Sequence, residues 1–218
     1  MKDHSEIVGK TFTSKSYGAF TVLEYHSCSK VLIEFQKTKY RYYTESGKVR
    51  SGSVKDPLYP SVHGAGCFGI GKYKAFTTST KKSTKQYKTW IGMVERCYSV
   101  KSHKKHPTYI DCTVCKEWLN YQNFAVWFEE HYIDGFELDK DIIQDGNKVY
   151  SPEMCKFVSK KDNAIKASAK TYRMISPSGD VIDIYNVKQF SKDNNLNRDC
   201  LRLVMTGNQK SHKGWTKA

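Results

Sequence analysis

Two cysteines three positions apart, Cys112 and Cys115, have a spacing that occurs in zinc sites. A structural zinc ion needs four ligands, so a second pair of thiolates or imidazoles would have to complete such a site. Four residues could supply that pair, although they include no second pair of cysteines at the same spacing: Cys97, Cys155, His103 and His106. The sequence therefore argues against zinc and favours cysteines that serve as small buried groups in a reducing compartment.

Basic residues are the second group with an evident chemical use. The chain has 36 Lys+Arg against 22 Asp+Glu, which gives a formal net charge of +14. An excess of this size indicates a polyanionic partner, because neutralising phosphates releases condensed counterions. Aromatic residues make up 13% of the chain, so we expect the charge to lie on folded domains and not on a disordered tail. A basic protein without a polyanionic partner is the alternative.

The charge is concentrated at the two ends of the chain. Residues 1–75 carry 12 basic and 6 acidic side chains, residues 76–150 carry 11 and 10, and residues 151–218 carry 13 and 6. This distribution suggests two modules that contact nucleic acid on either side of a nearly neutral centre.

The first 75 residues have the pattern of a small antiparallel β module. Apolar residues alternate over residues 11–13, 20–25 and 30–35, and turn-forming residues separate these segments. A glycine-rich stretch over residues 47–71 predicts turns, or else a close approach of the backbone to a phosphate. Residues 76–88 are almost free of apolar side chains and predict a linker. Its lysines Lys81, Lys82 and Lys85 either follow a DNA backbone or are simply solvated.

The last 50 residues predict a hairpin followed by two helices. Strand-forming residues at 172–175 and 181–184 flank a Ser-Pro-Ser-Gly turn. Asn186 is placed to cap the first helix, and residues 194–197 form the turn before the second. The second helix is expected from Arg198 to about Met205, with Gly207 ending it.

The second helix of this pair has two distinct faces. Leu201 and Val204, with Leu196 before them, are expected to face the core, whereas Arg198 and Arg202 are four residues apart on another face. A helix that reads DNA needs one packed face and one face that carries donors into the major groove. A solvated helix face is the alternative. The DNA-binding candidates of this region are Arg198, Arg202, Asn197, Lys188, Lys192 and Lys210.

Residues 171–215 resemble the helix-turn-helix modules that recur in intron-encoded homing nucleases. The resemblance rests on Ser-Pro-Ser-Gly-Asp at 176–180, Asn-Val-Lys-Gln-Phe at 186–190, Asn-Leu-Asn at 195–197 and His-Lys-Gly-Trp at 212–215. It implies that the closing Gly-Trp packs a final turn onto the two helices.

The centre of the chain resembles the phage proteins identified as His-Asn-His (HNH) endonucleases. The resemblance is carried by segments at residues 90–98, 114–118, 123–127, 138–142, 146–152 and 155–158, together with Tyr109 and Asn163. The apolar patterns in this region predict amphipathic helices over 90–98 and 118–128, with their tryptophans in the core. Strands over 138–143 and 156–159 and a helix from Asp162 would give the ββα-metal shape of such nucleases.

The resemblance also implies an active site. In such nucleases a His takes a proton from water, and a divalent cation, usually Mg²⁺, is held by an Asp and by a later Asn or His. This correspondence assigns Asp139, Asn147 and Asn163 to the metal and places Lys140 at the position of the base. Lysine is normally protonated at neutral pH and cannot take a proton. His131, which lies seven residues before the predicted strand, is the candidate substitute for the base. If the centre is inactive, its metal-ligand positions are vestigial.

The sequence as a whole predicts an α+β fold in three modules. These are a β-rich DNA-binding module over 1–75, an HNH-like domain over 89–168 after a basic linker at 76–88, and a helix-turn-helix module over 169–218. No run of 18 apolar residues or secretory signal core is visible, so we expect a cytoplasmic location and no membrane span. The expected partner is double-stranded DNA.

The leading functional hypothesis is a sequence-specific DNA-binding protein derived from a homing endonuclease, with little or no cleavage, such as a transcriptional regulator. It would need no cofactor. The alternative is an active Mg²⁺-dependent HNH-type homing endonuclease that makes nicks or double-strand breaks. A structural RNA-binding protein is disfavoured, since a recognition helix does not fit the deep, narrow major groove of A-form RNA. The target sequence and the oligomeric state stay open.

Overall fold

A computed structural model describes residues 5–168 and 171–218 and has a mixed α+β architecture of helices and several small sheets. The α+β class predicted from the sequence is confirmed. Contacts within the chain divide it into two units, one ending at Phe157 and the other beginning at Val158. The three-module boundaries near residues 75, 88 and 168 stay predictions, and residue 169, where the last module was placed, lies outside the described residues.

The first unit begins with a four-stranded antiparallel sheet in sequential order. Its strands are β1 Thr11–Ser14, β2 Gly18–Ser27, β3 Lys30–Phe35 and β4 Arg41–Thr44, followed by the short helix α1 Ser46–Ser51. Alternate residues of β2 and β3 point inward, and Phe20, Val22, Ile33 and Phe35 are fully buried. Val49 of α1 closes this core. The predicted N-terminal β module is therefore present as a folded element.

Three helices follow, α2 Lys85–Tyr98, α3 Val100–Lys105 and α4 Tyr121–His131. Helices α2 and α4 pack together through a core that includes Trp90 and Phe124. Trp90 is fully buried, and its indole N–H donates to the carbonyl of Trp118 at 2.7 Å, so the polar atom is satisfied. The expectation that the tryptophans of these helices lie in the core is confirmed.

Helix α2 begins five residues before its predicted start, inside the predicted linker. The hydroxyl of Thr84 accepts from the backbone N–H of Tyr87 at 3.2 Å, which caps the helix at this point. The residues just before it form a closed loop, because Thr77 N–H donates to Lys82 O at 2.8 Å and Phe76 forms a strand bridge to Ser83. Lys81 and Lys82 are exposed on this loop.

The glycine-rich stretch packs against the helical core. A side chain at Gly69 would overlap the amide of Asn120, and one at Gly71 would overlap the amide of Gln122. Gln122 Oε1 also accepts from the backbone N–H of Tyr73 at 2.9 Å. Gly69 and Gly71 are required because the chain passes close to the start of α4, a reason that the sequence did not indicate. Gly52 and Gly64 have positive φ values of 64° and 74°, which agrees with the predicted turns.

Short strands complete the first unit and lead into the second. Strand β5 Thr113–Val114 runs parallel to β7 Val149–Tyr150, while β6 Phe136–Asp139 and β8 Lys156–Ser159 form a two-stranded sheet that precedes α5 Lys160–Ser168. The strand predicted over 138–143 ends at Asp139, because the Asp139 carboxylate accepts from the backbone N–H of Asp141 at 2.7 Å and turns the chain. The predicted bounds of β8 are correct.

The second unit combines a four-stranded sheet with two helices. The sheet has the order β10-β9-β12-β11, with strands β9 Tyr172–Ile175, β10 Val181–Ile184, β11 Ser211–His212 and β12 Trp215–Lys217. The helices are α6 Val187–Asp193 and α7 Arg198–Thr206. Trp215 is buried and meets Phe190 edge to face at 5.0 Å between ring centroids. The closing Gly-Trp thus packs onto the helical layer, as the resemblance implied.

Candidate catalytic loop and nucleic-acid-binding helix

Lys140 opens the loop between β6 and β7, residues 140–148, which we call the β6–β7 loop. Its side chain is only 8% exposed. The ammonium donates to both carboxylate oxygens of Asp141, at 2.8 and 2.7 Å, and to the carbonyl of Asn147 at 2.5 Å. An ammonium has three donors, and three acceptor atoms surround this one. Lys140 therefore ties one end of the loop to the other.

Asn147 braces the same loop from the opposite end. It is buried, and its amide NH₂ donates to the carbonyls of Lys140 at 2.8 Å and Val149 at 2.7 Å. Its side-chain oxygen accepts from the backbone N–H of Val149 at 3.1 Å. Because the amide is turned into the protein, this oxygen is engaged by the backbone and does not face solvent.

One of the side-chain oxygens that the HNH resemblance assigns to Mg²⁺, that of Asn147, is engaged by the backbone in this structure. A divalent cation needs oxygen ligands that point toward it, whereas the oxygen of Asn147 is bound to Val149 and a buried ammonium lies between Asp141 and Asn147. Asn163 lies on α5. Within residues 5–168 and 171–218, no group of three or more His, Cys, Asp or Glu side chains is arranged to hold a metal ion. The assignment of Asp139, Asn147 and Asn163 as metal ligands stays a prediction.

His131, the candidate substitute base, ends α4. Its Nδ1 lies 2.8 Å from the carbonyl oxygen of Trp127, which accepts a hydrogen bond when Nδ1 carries a proton. The imidazole stacks on the Trp127 indole at 4.6 Å between centroids, with an interplanar angle of 12°. These contacts account for His131 as part of the helix end, and a catalytic role for it stays a prediction.

The cysteine pair at 112 and 115 belongs to the core. Cys112 is buried and Cys115 is half-buried, and burial raises the pKa of both thiols. Burial also raises the pKa of Cys97 and of Cys155 to about 12. Cys97, Cys112 and Cys155 belong to the hydrophobic core of the first unit, and Cys115 packs against it. The cysteines that the sequence offered as zinc ligands therefore act in this structure as small core residues. The expectation that they bind no zinc stays a prediction.

Helix α7 is fixed at both ends by the residues that the sequence indicated. The Asn197 side chain accepts from the backbone N–H groups of Asp199 at 2.9 Å and Cys200 at 3.0 Å. Gly207 ends the helix in the left-handed conformation, with φ of 81°. Leu201 and Val204 are fully buried, as predicted. Asn197 is thus a helix cap, and a DNA contact from its side chain stays a prediction.

The terminal hairpin also holds the turn before α7, which the sequence did not reveal. The backbone N–H of Asn197 donates to Nε2 of His212 at 3.1 Å, and the Lys213 ammonium donates to the carbonyl of Asn195 at 2.8 Å. The positive φ values of Lys213 (48°) and Gly214 (82°) turn the hairpin toward these groups. A Lys-Gly pair before a tryptophan is the local signal that could have indicated the turn, but its partners lie 15 or more residues away.

The exposed face of α7 carries both predicted arginines in different states. The Arg198 guanidinium donates to the carboxylate of Asp199 at 3.0 and 3.1 Å. Arg202 is exposed one turn later, and no described residue forms an ion pair with it. Leu203 is exposed beside it and was not singled out in the sequence. Lys188 and Lys192 of α6 and Lys210 before β11 are also exposed.

The lysines of the predicted linker are not equivalent. Lys81 and Lys82 are exposed on their loop. The Lys85 ammonium donates to the Asp134 carboxylate and lies 5.3 Å from the centre of the Tyr132 ring. The hydrogen bond to Asp134 raises the pKa of Lys85. The charge of Lys85 is thus paired within the protein, whereas Lys81 and Lys82 are exposed on their loop, and a phosphate contact from Lys85 stays a prediction.

Comparison with known proteins gives little. No family model matches the chain, and no curated protein matches it. A search among solved structures found one described as DNA binding and cleavage by the HNH homing endonuclease I-HmuI, with 14% identity, 99% of this chain and 94% of that chain aligned, and a TM-score of 0.23. A TM-score this low does not establish a shared fold, so the likeness supports neither fold nor function.

Among the described residues, no helix has the length and apolar character to cross a membrane.

Proposed function

We propose that this protein binds double-stranded DNA sequence-specifically, with α7 in the major groove, and has little or no nuclease activity. The observation that carries the proposal is a helix fixed at both ends, with Arg198 and Arg202 on its solvent face. A rigidly held helix with outward donors can read base edges, because the major groove admits an α-helix. In this proposal the protein acts, for example, as a transcriptional regulator derived from a homing endonuclease.

The β6–β7 loop supports the second half of the proposal. General-base catalysis needs a group that can accept a proton from water. The nitrogen of Lys140 instead donates to Asp141 and to Asn147. The side chain at the position that the resemblance assigns to the base is therefore engaged in holding the loop together.

Phosphate contacts would come from lysines around α7 and on the loop before α2. Lys188, Lys192 and Lys210 are exposed in the second unit, and Lys81 and Lys82 are exposed in the first. A lysine that binds phosphate adds affinity without base information and positions the reading helix on the duplex. This arrangement favours B-form DNA over A-form RNA, whose deep, narrow major groove does not admit a helix.

Affinity for duplex DNA is expected to fall steeply with salt. Five lysine contacts to phosphate give a log–log slope of about −4.5 and a loss of about 500-fold between roughly 50 and 200 mM salt. Fluorescence anisotropy with a labelled duplex longer than about one helical turn measures this slope. The double variant Lys188→Ala/Lys192→Ala should make the slope shallower by about 2 units. Affinity that does not change with salt, or equal affinity for an RNA duplex of the same sequence, would argue against the proposal.

A further inference from the structure

Leu203 is an apolar side chain on the solvent face of a helix whose other large apolar residues are buried. It is 45% exposed, whereas Leu201, Val204 and Met205 are at most 4% exposed. A single exposed leucine on a protein surface needs no explanation. Leu203, however, directly follows Arg202 in the sequence. Both side chains are exposed on the side of α7 that the proposed function places against DNA.

Thr206 extends the apolar surface next to Leu203. Residues three apart in a helix lie on one face, so Leu203 and Thr206 are neighbours. The Thr206 hydroxyl donates to the backbone carbonyls of Arg202 at 3.0 Å and Leu203 at 3.1 Å. The hydroxyl is thus bound to the helix, and only the methyl group of Thr206 has no hydrogen-bonding role. The solvent-exposed side of α7 thus carries two aliphatic groups, Leu203 and the methyl group of Thr206, together with Arg202.

The rigidity of α7 gives this surface a defined position. Asn197 caps the helix, and the terminal hairpin binds the preceding turn through His212 and Lys213. Asp199 pairs with Arg198 at the start of the same face. Among the described residues, none forms an ion pair with the Arg202 guanidinium, and Leu203, the next residue, is exposed as well.

We propose that Leu203, supported by the methyl group of Thr206, contacts the C5-methyl group of a thymine adjacent to a guanine bound by Arg202. This inference rests on the proposed function and specifies the bases that α7 reads. The C5-methyl group is the apolar feature that thymine presents in the major groove, and arginine binds O6 and N7 of guanine there. An arginine that binds guanine and an exposed leucine that directly follows it in the helix are therefore suited to a guanine with a neighbouring thymine.

The test uses uracil, which lacks only the methyl group of thymine. Preferred duplexes are first selected with the full chain from a random-sequence library, and each thymine of the site is then replaced singly by uracil. For the unaltered protein we expect one replacement, beside a guanine, to weaken binding by about fourfold, the contribution of one buried methyl group. In Leu203→Ala the same replacement should have no effect. Val181→Ala removes an aliphatic side chain on β10 that is even more exposed, at 61%, and should keep the full uracil effect.

The outcomes separate the two proposals. If the library yields no enriched sequence, sequence-specific binding fails, and the thymine contact fails with it. If a site is selected but no uracil replacement beside a guanine weakens binding, or if Leu203→Ala keeps the effect, only the thymine contact is overturned. Thermal unfolding of Leu203→Ala should stay close to that of the unaltered protein because the side chain lies on the surface and not in the core, and this result would exclude misfolding as the cause of a lost effect.

Discussion

Replacing Lys140 with methionine is expected to lower the free energy of unfolding of the first unit by about 3 kcal/mol. The substitution keeps the aliphatic stem but removes the ammonium, so the carboxylate of Asp141 and the carbonyl of Asn147 lose their donor. Removing one partner of a buried ion pair usually costs about 3–5 kcal/mol, and the Asp141 side chain is 34% exposed, which places this pair at the low end. Urea unfolding followed by tryptophan fluorescence measures the change, since Trp90, Trp118 and Trp127 all belong to the first unit.

The matched control is Lys101→Met, because Lys101 is exposed on α3. Its effect should stay within about 0.5 kcal/mol. Lys140→His is informative as well, since it would introduce the residue of the HNH base. An imidazole has at most two N–H donors, so we expect it to destabilise the loop and not to restore cleavage. Equal stability of Lys140→Met and the unaltered protein would show that the buried ammonium does not hold the loop.

Replacing Arg202 with alanine is expected to weaken binding to the preferred DNA site by about 1–3 kcal/mol and binding to scrambled DNA much less. The reason is that two hydrogen bonds from one guanidinium to guanine are lost only where the guanine is present. Arg198→Ala should have a smaller effect, because the Arg198 guanidinium already donates to Asp199. Competition binding with specific and scrambled duplexes gives both numbers.

Lys188→Ala is the control for a phosphate contact. It should weaken binding to both duplexes equally and change the salt slope by about 1 unit. If Arg202→Ala behaves in the same way, α7 contacts the DNA backbone and the reading element lies elsewhere in the chain.

The tail was predictable because its signals are local. Strands β9 and β10 occur where the sequence placed them. The same holds for the capping residues Asn186 and Asn197 and for the end of α7 at Gly207. Each depends on residues within a few positions, such as the Asn186 side chain and the backbone N–H of Gln189. Turn and cap chemistry of this kind can be read without knowledge of the fold.

The centre was less predictable because its determinants are contacts between distant residues. A side chain at Gly71 would overlap the amide of Gln122, and Lys85 pairs with Asp134, which lies 49 positions later in the sequence. The burial of Lys140 also depends on the folded structure. The β6–β7 loop packs around this side chain and leaves it only 8% exposed, which the residues beside Lys140 in the sequence do not reveal. The sequence placed aspartates beside Lys140, but it gave no indication that a backbone carbonyl seven residues later would bind the ammonium.

A cleavage assay on the bound site tests the central claim most directly. A labelled duplex that carries the selected sequence is incubated with the full chain and Mg²⁺ or Mn²⁺, and binding and strand integrity are followed in the same sample. We expect the duplex to be bound and to stay intact, because the Lys140 ammonium holds the loop and the Asn147 oxygen is engaged by Val149. Metal-dependent nicking or double-strand cleavage that Asp139→Ala abolishes would contradict it and would identify the protein as an active nuclease.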